Sequence, residues 1–161
     1  MKLSRTLLSA TAALLLAVPA VGHAKAYKVG LLLPYSGVYA ALGKEIDQGF
    51  ELALAARGGE IAGSTIEIVR EDTEVKPPVG LAKSRKLILE DQVDVMVGIV
   101  SSGVLGAIRD FIHQSGTPLI VANAGNDDAT GARCSRFITR VSFSNGQVNR
   151  PMGDWMHRKG V

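Results

Sequence analysis

Short apolar runs alternate with segments of helical periodicity along this chain, and that alternation limits its fold more than any other feature. "YKVGLLLP" (Tyr27–Pro34), "STIEIVRED" (Ser64–Asp72), "VDVMVGIV" (Val93–Val100) and "TPLIVA" (Thr117–Ala122) read as strands. After the first, Leu42, Ile46, Phe50 and Leu54 recur every fourth residue and share one helical face, and Gly58 and Gly59 supply a stop. "KPPVGLAKSRKLILED" predicts a second helix with prolines in its first turn. Val104, Leu105, Ile108, Phe111 and Ile112 make a third helix amphipathic from about Gly103, and Gly116 ends it. Strands joined by helices of this length predict an α/β fold with a parallel sheet covered by helices on both faces.

The pattern changes after Ala122. "NAGNDDATGARCSR" reads as a loop and "FITRV" as a short strand. "SFSNGQVNRPMGDWMHRKGV" reads as a helix with Pro151 in its first turn. The series then stops on a helix where another strand is expected, so the fold is expected to be incomplete. At the other end, Lys2 and Arg5 precede an apolar stretch, "TLLSATAALLLAVPA", followed by small residues. This is the pattern of an export leader (1–26) cleaved after Ala24 or Ala26, and its apolar core is shorter than the roughly 20 residues of a membrane span. No stable membrane insertion is expected after leader removal. Residues 1–24 take Lys2 and Arg5 with them, leaving 16 basic against 15 acidic side chains. That balance, without a basic cluster interleaved with aromatics, gives no reason to expect a nucleic-acid partner. Cys134 is the sole cysteine, so no disulfide can form within the chain.

In open parallel sheets, ligands bind beyond the carboxyl ends of the strands. Three loops converge there: "PYSGVYAALG", "GIVSSG" and "ANAGND". The middle one opens a helix, whose first N–H groups are unpaired and sit at the positive end of its dipole. Ser101 and Ser102 add hydroxyls, and the glycines let a ligand approach the backbone, an arrangement suited to a small carboxylate. Serine is equally a preferred N-cap that needs no ligand, so both roles stay open for the pair. Tyr35 and Tyr39 are ligand candidates or half-buried loop aromatics, and Asn123 and Asn126 are ligand candidates or partners of loop backbone. Glu71, Asp72 and Glu74 form an acidic cluster at a strand end, read as solvated loop with a hinge or ligand role as the alternative.

Enzyme signatures are weak. "GVYAALGKE" has five residues between Gly37 and Gly43 where a phosphate-binding loop has four, and Glu45 replaces the metal-binding hydroxyl. No dinucleotide fingerprint, nucleophile–base pair or metal-ligand spacing is present, so no cofactor and no metal are expected. His113 and His157 are read as surface residues.

"KVGLLLPYSGVYAALGKEIDQGFELAL", "VDVMVGIVSSGVLGAI", "GTPLIVANAGND" and "RVSFSN" resemble the branched-chain amino-acid-binding family of bacterial periplasmic solute-binding proteins, which serve ABC importers. The resemblance implies two α/β lobes that close on a solute between them, with permease subunits as partners and the periplasm as location. Residues 27–136 would then belong to the N-terminal lobe, and 137–161 to a hinge crossing and the first helix of the second lobe. By position, Ser102 matches the serine that holds the ligand carboxylate. Asn123 and Gly125, with Ala124 between them, match the next ligand-contacting loop. Leu42 matches a pocket-lining aromatic, with Tyr39 one turn earlier. Gly125 replaces a threonine hydroxyl of the amino-acid binders, and Ser101 replaces a cysteine found in some. "CSRFITRVSFSNGQVNRPMGDW" is closer to members associated with aromatic or other organic acids. A periplasmic α/β enzyme, or the sensing domain of a receptor, are the alternatives.

The leader reading makes a direct prediction: intact mass of periplasmic material should give a mature start at Lys25 or Tyr27. Retention of Met1 in a membrane fraction would exclude cleavage.

Overall fold

The computed structural model describes residues 26–161, so the leader segment lies outside the described residues. Six strands form one sheet: β1 (Tyr27–Leu33), β2 (Glu60–Ile61), β3 (Ser64–Asp72), β4 (Val95–Gly98), β5 (Leu119–Val121) and β6 (Ile138–Arg140). Their order is β2-β3-β1-β4-β5-β6. Every pair from β3 to β6 is parallel, in line with the βα alternation, while β2 runs antiparallel to β3. Two residues of β2 are too few to register as a strand in sequence. The helices are α1 (Ala40–Ala55), α2 (Pro77–Arg85, continued by a π-turn over Lys86–Glu90), α3 (Ser102–Ser115) and α4 (Asn145–Lys159).

Alternation along the strands divides the apolar residues between two faces. Leu32, Met96, Leu119, Val121 and Ile138 face α2 and α3, where Leu87, Val104, Leu105, Ile108 and Ile112 complete a fully enclosed core. Val29, Leu31 and Leu33 face the other way, against Leu42, Ile46 and Phe50 of α1. Helices thus lie on both faces, as expected, with unequal coverage. On the α1 side Ile120 of β5 remains 37% exposed. A four-residue cluster at the surface staples α1 to β3: Arg70 donates to both oxygens of Asp47 (2.8 and 3.1 Å) and to Glu51, and the Tyr35 hydroxyl donates to Asp47 (3.1 Å).

Helix ends follow local chemistry. Gly116 closes α3 in the left-handed conformation (φ 74°), its N–H donating to the Ile112 carbonyl at 3.2 Å. α4 starts at Asn145. Ser144 and Gln147 form a reciprocal capping box, which places Pro151 inside the helix rather than in its first turn. The proline removes the N–H that would otherwise reach the Gln147 carbonyl. No α4 residue is buried, and its Val148, Met152, Trp155 and Met156 are exposed.

Glycines of α1 separate packing from propensity. A Cβ at Gly43 would lie 2.0 Å from the backbone oxygen of Pro34, whereas one at Gly49 would meet nothing within 4 Å. Gly49→Ala should therefore stabilise the protein by about 0.5–1 kcal/mol, the ordinary gain of alanine over glycine in a helix. Gly43→Ala should forfeit that gain and lose about 1–3 kcal/mol to overpacking. Denaturant melts of the two variants should shift in opposite directions; equal shifts would show that α1 does not sit this close to β1.

Candidate functional site

The site is built at the carboxyl end of the sheet by a sharp turn out of β4. Gly98 has φ 141°, and a Cβ there would lie 2.2 Å from the Leu32 carbonyl oxygen. Only glycine permits β4 to approach β1 so closely in that conformation. Ile99 follows at φ 65°, a left-handed backbone in a fully buried β-branched residue. Such a conformation costs on the order of 1–3 kcal/mol and persists where its surroundings over-determine it. Here the Ile99 N–H donates to Leu32 O (3.0 Å), and its own carbonyl accepts from Ala124 N–H (2.9 Å). Three strand ends are thereby tied through one residue.

The turn delivers the chain to the start of α3. Ser101 is the N-cap, and its hydroxyl accepts from Val104 N–H at 3.4 Å. Leu105 N–H makes the first backbone bond of the helix, to Ser101 O at 3.0 Å. The N–H groups of Ser102 and Gly103 therefore have no acceptor within the helix and face its positive end. The capping contact thus belongs to Ser101, and the helix begins one residue before Gly103.

Ser102, Ser101, Asn123, Gly125, Tyr39 and Leu42 come together around one cavity of about 410 Å³, with Val100, Gly103, Phe143 and Asn145 completing its lining. That volume lies in the usual range of small-molecule sites. Ala124 does not line it; it is fully buried and serves through its backbone. Tyr35 is turned away toward Asp47, whose carboxylate, after burial, pushes its phenol pKa well up. Asn126 braces the site from behind: its amide donates to Ser102 O (3.2 Å) and its oxygen accepts from Asp128 N–H (3.0 Å). Phe143 and Asn145 were not visible as site residues in the sequence. They arrive because β6 returns parallel to β5, and the capping box at Ser144 fixes where α4 begins; that box was the available signal.

Among the described residues no charged side chain lines this cavity. The acidic cluster lies elsewhere: Glu71 pairs with Lys83 (2.7 Å) and Lys86 (2.8 Å), and Glu74 with Lys76 (2.8 Å). Asp72 holds the loops after β1 and β3 together, accepting from Tyr35 N–H (2.9 Å) and Glu74 N–H (2.8 Å). Desolvation pushes the Asp72 pKa up, but the Ser36 hydroxyl and the backbone N–H groups outweigh it, and the carboxyl lies below its ordinary value of 3.8. Among the described residues no three His, Cys, Asp or Glu side chains could together hold a metal ion, and no helix is long and apolar enough to cross a membrane.

The lowered Asp72 pKa fixes the sign of a pH effect. A carboxylate favoured by the fold adds stability above its unfolded pKa and loses it as pH falls through the folded value. Asp72→Asn should melt lower than wild type at pH 7, and the difference should shrink as the pH drops below about 4. A gap that stays constant from pH 7 to pH 2 would show that the charge contributes nothing.

A family model described as periplasmic binding protein matches residues 26–161. A solute-binding protein of an ABC transporter from R. palustris, crystallised with benzoate, is 45% identical with a TM-score of 0.79, over 84% of this chain and 38% of that one. Another, from Rhodopseudomonas palustris BisB5 and in complex with 3,4-dihydroxybenzoic acid, is 32% identical with a TM-score of 0.76, over 84% of this chain and 37% of that one. The Leu/Ile/Val-binding protein homolog 6 of Brucella abortus is 27% identical over 86% of this chain and 35% of its own length. The chain thus spans little more than a third of the length of these relatives.

Proposed function

The chain belongs to the periplasmic binding protein family, and from that premise we propose that it supplies one wall of the solute site of an ABC importer's binding protein. The solute is a small aromatic or related organic carboxylate. Residues 1–26 act as the export leader, 27–136 belong to the N-terminal lobe, and 137–161 carry the crossing and the first helix of a second lobe. The protein works in the periplasm and hands its solute to permease subunits.

One observation carries the choice of solute. The cavity presents hydroxyls, amides and an open helix N-terminus, and no carboxylate lines it. An anion is welcomed by those donors. The ammonium group of an amino acid would find no counter-charge on this wall. The 45% identity to a benzoate-bound protein supports the same side of the choice. The 27% relatives named for leucine, isoleucine and valine keep an aliphatic amino acid as the competing solute.

Titration calorimetry of the intact protein with benzoate and with leucine tests the reading; preferential binding of leucine would overturn it. Two neighbouring variants sharpen it. Ser102→Ala should weaken benzoate binding roughly 10- to 150-fold, the value of one hydrogen bond to a charged group. Ser101→Ala should instead cost about 1 kcal/mol of stability by losing the helix cap. Unchanged benzoate affinity in Ser102→Ala would remove that hydroxyl from the site.

A further inference from the structure

We propose that Asn145 is a ligand-contacting residue that sets which solutes the site accepts, its carboxamide reading the solute's carboxylate together with Ser102. This rests on the carboxylate-binding function proposed above and names a residue that the sequence did not.

Asn145 is the first residue of α4, and its backbone is held firmly against the β5–β6 loop. Its N–H donates to Gly125 O at 2.7 Å, and the next N–H, of Gly146, donates to both carboxylate oxygens of Asp127 (3.1 and 3.0 Å). Asp127 is kept below the ordinary carboxylate range by the Ser144 hydroxyl and that same Gly146 N–H. The side chain of Asn145 then folds over Gly125. A Cβ at position 125 would lie 2.3 Å from Asn145 Oδ1 and 3.0 Å from its Cγ. Any side chain at 125 and the carboxamide of 145 compete for one volume.

On its other side the carboxamide reaches the cavity. Nδ2 lies 3.4 Å from Ser102 Oγ, a long contact that is easily exchanged for a shorter bond to a charged acceptor. Asn145 and Ser102 both line the cavity, beside the open N–H groups of α3. A carboxylate seated on that helix end is within reach of both side chains. Since the carboxamide comes from α4 rather than from the sheet, it also links solute recognition to the segment that leaves this lobe.

The test titrates benzoate and leucine into the intact protein and into Asn145→Ala, Asn145→Asp, Gly125→Ala and the Asn145→Ala/Gly125→Ala pair, with a thermal melt of each. Asn145→Asp keeps the side-chain shape and suits a helix start, so it serves if the alanine variant does not fold. Wild type should bind benzoate, and Asn145→Ala should bind it roughly 10- to 150-fold more weakly. Asn145→Asp should be weaker still, because it sets a negative charge against the solute. Gly125→Ala should lose affinity alone by evicting the carboxamide, yet add little on the Asn145→Ala background. Benzoate binding by Asn145→Asp within about twofold of wild type, or losses that multiply in the double variant, would overturn the proposal alone. Wild-type protein that ignores benzoate overturns the functional reading and this one with it.

Discussion

Everything at the carboxyl end of the sheet depends on how closely β4 passes β1. The Leu32 carbonyl sits where a side chain at Gly98 would be, and the next residue turns left-handed to receive it. Ile99 can hold that conformation because its side chain is wholly enclosed and both of its backbone polar groups are bonded, to Leu32 and to Ala124. Burial of an isoleucine stabilises by about 1.5–3 kcal/mol, enough to offset strain of that order. Were the turn relaxed, α3 would begin elsewhere. The hydroxyls of Ser101 and Ser102 and the loop carrying Asn123 and Gly125 would then no longer share one opening.

Charge is arranged to leave that opening to uncharged donors. Glu71 is occupied by two lysines, Asp47 by Arg70, Asp110 by Arg109 and Arg133, and Asp127 by the first turn of α4. Most of these pairs are exposed and contribute little to stability individually. Their effect is positional. Among the described residues none of these carboxylates lines the cavity, so the α3 dipole and its open N–H groups act without a competing charge in the lining.

The framework was legible in the sequence because it rests on periodicity. The apolar run "YKVGLLLP" and the four-residue spacing from Leu42 to Phe50 report directly which segments meet in the core. The strand-end rule likewise located Ser101, Ser102 and Asn123, since topology alone brings those loops together, and the family resemblance added Gly125. What escaped depends on events no local pattern encodes. Two residues of β2 have too little signal, and Ala124 shares its loop with site residues yet points into the core. Pro151 suggested a first turn, but the Ser144–Gln147 box starts the helix at Asn145 and leaves the proline in its interior. Phe143 and Asn145 join the cavity only after β6 has paired with β5, a contact between distant segments.

The site frame is held by main-chain atoms. Thr73 N–H bonds Leu33 O, Ile99 N–H bonds Leu32 O, Ala124 N–H bonds Ile99 O and Asn145 N–H bonds Gly125 O. None of these bonds uses the side chains of Tyr39, Asn123 or Phe143, which form part of the cavity's inner surface. Scaffold and specificity are therefore written in different atoms. Substitutions at those three positions can change what the opening contacts while the chain still folds, so selection can explore chemistry here without first solving the folding problem again.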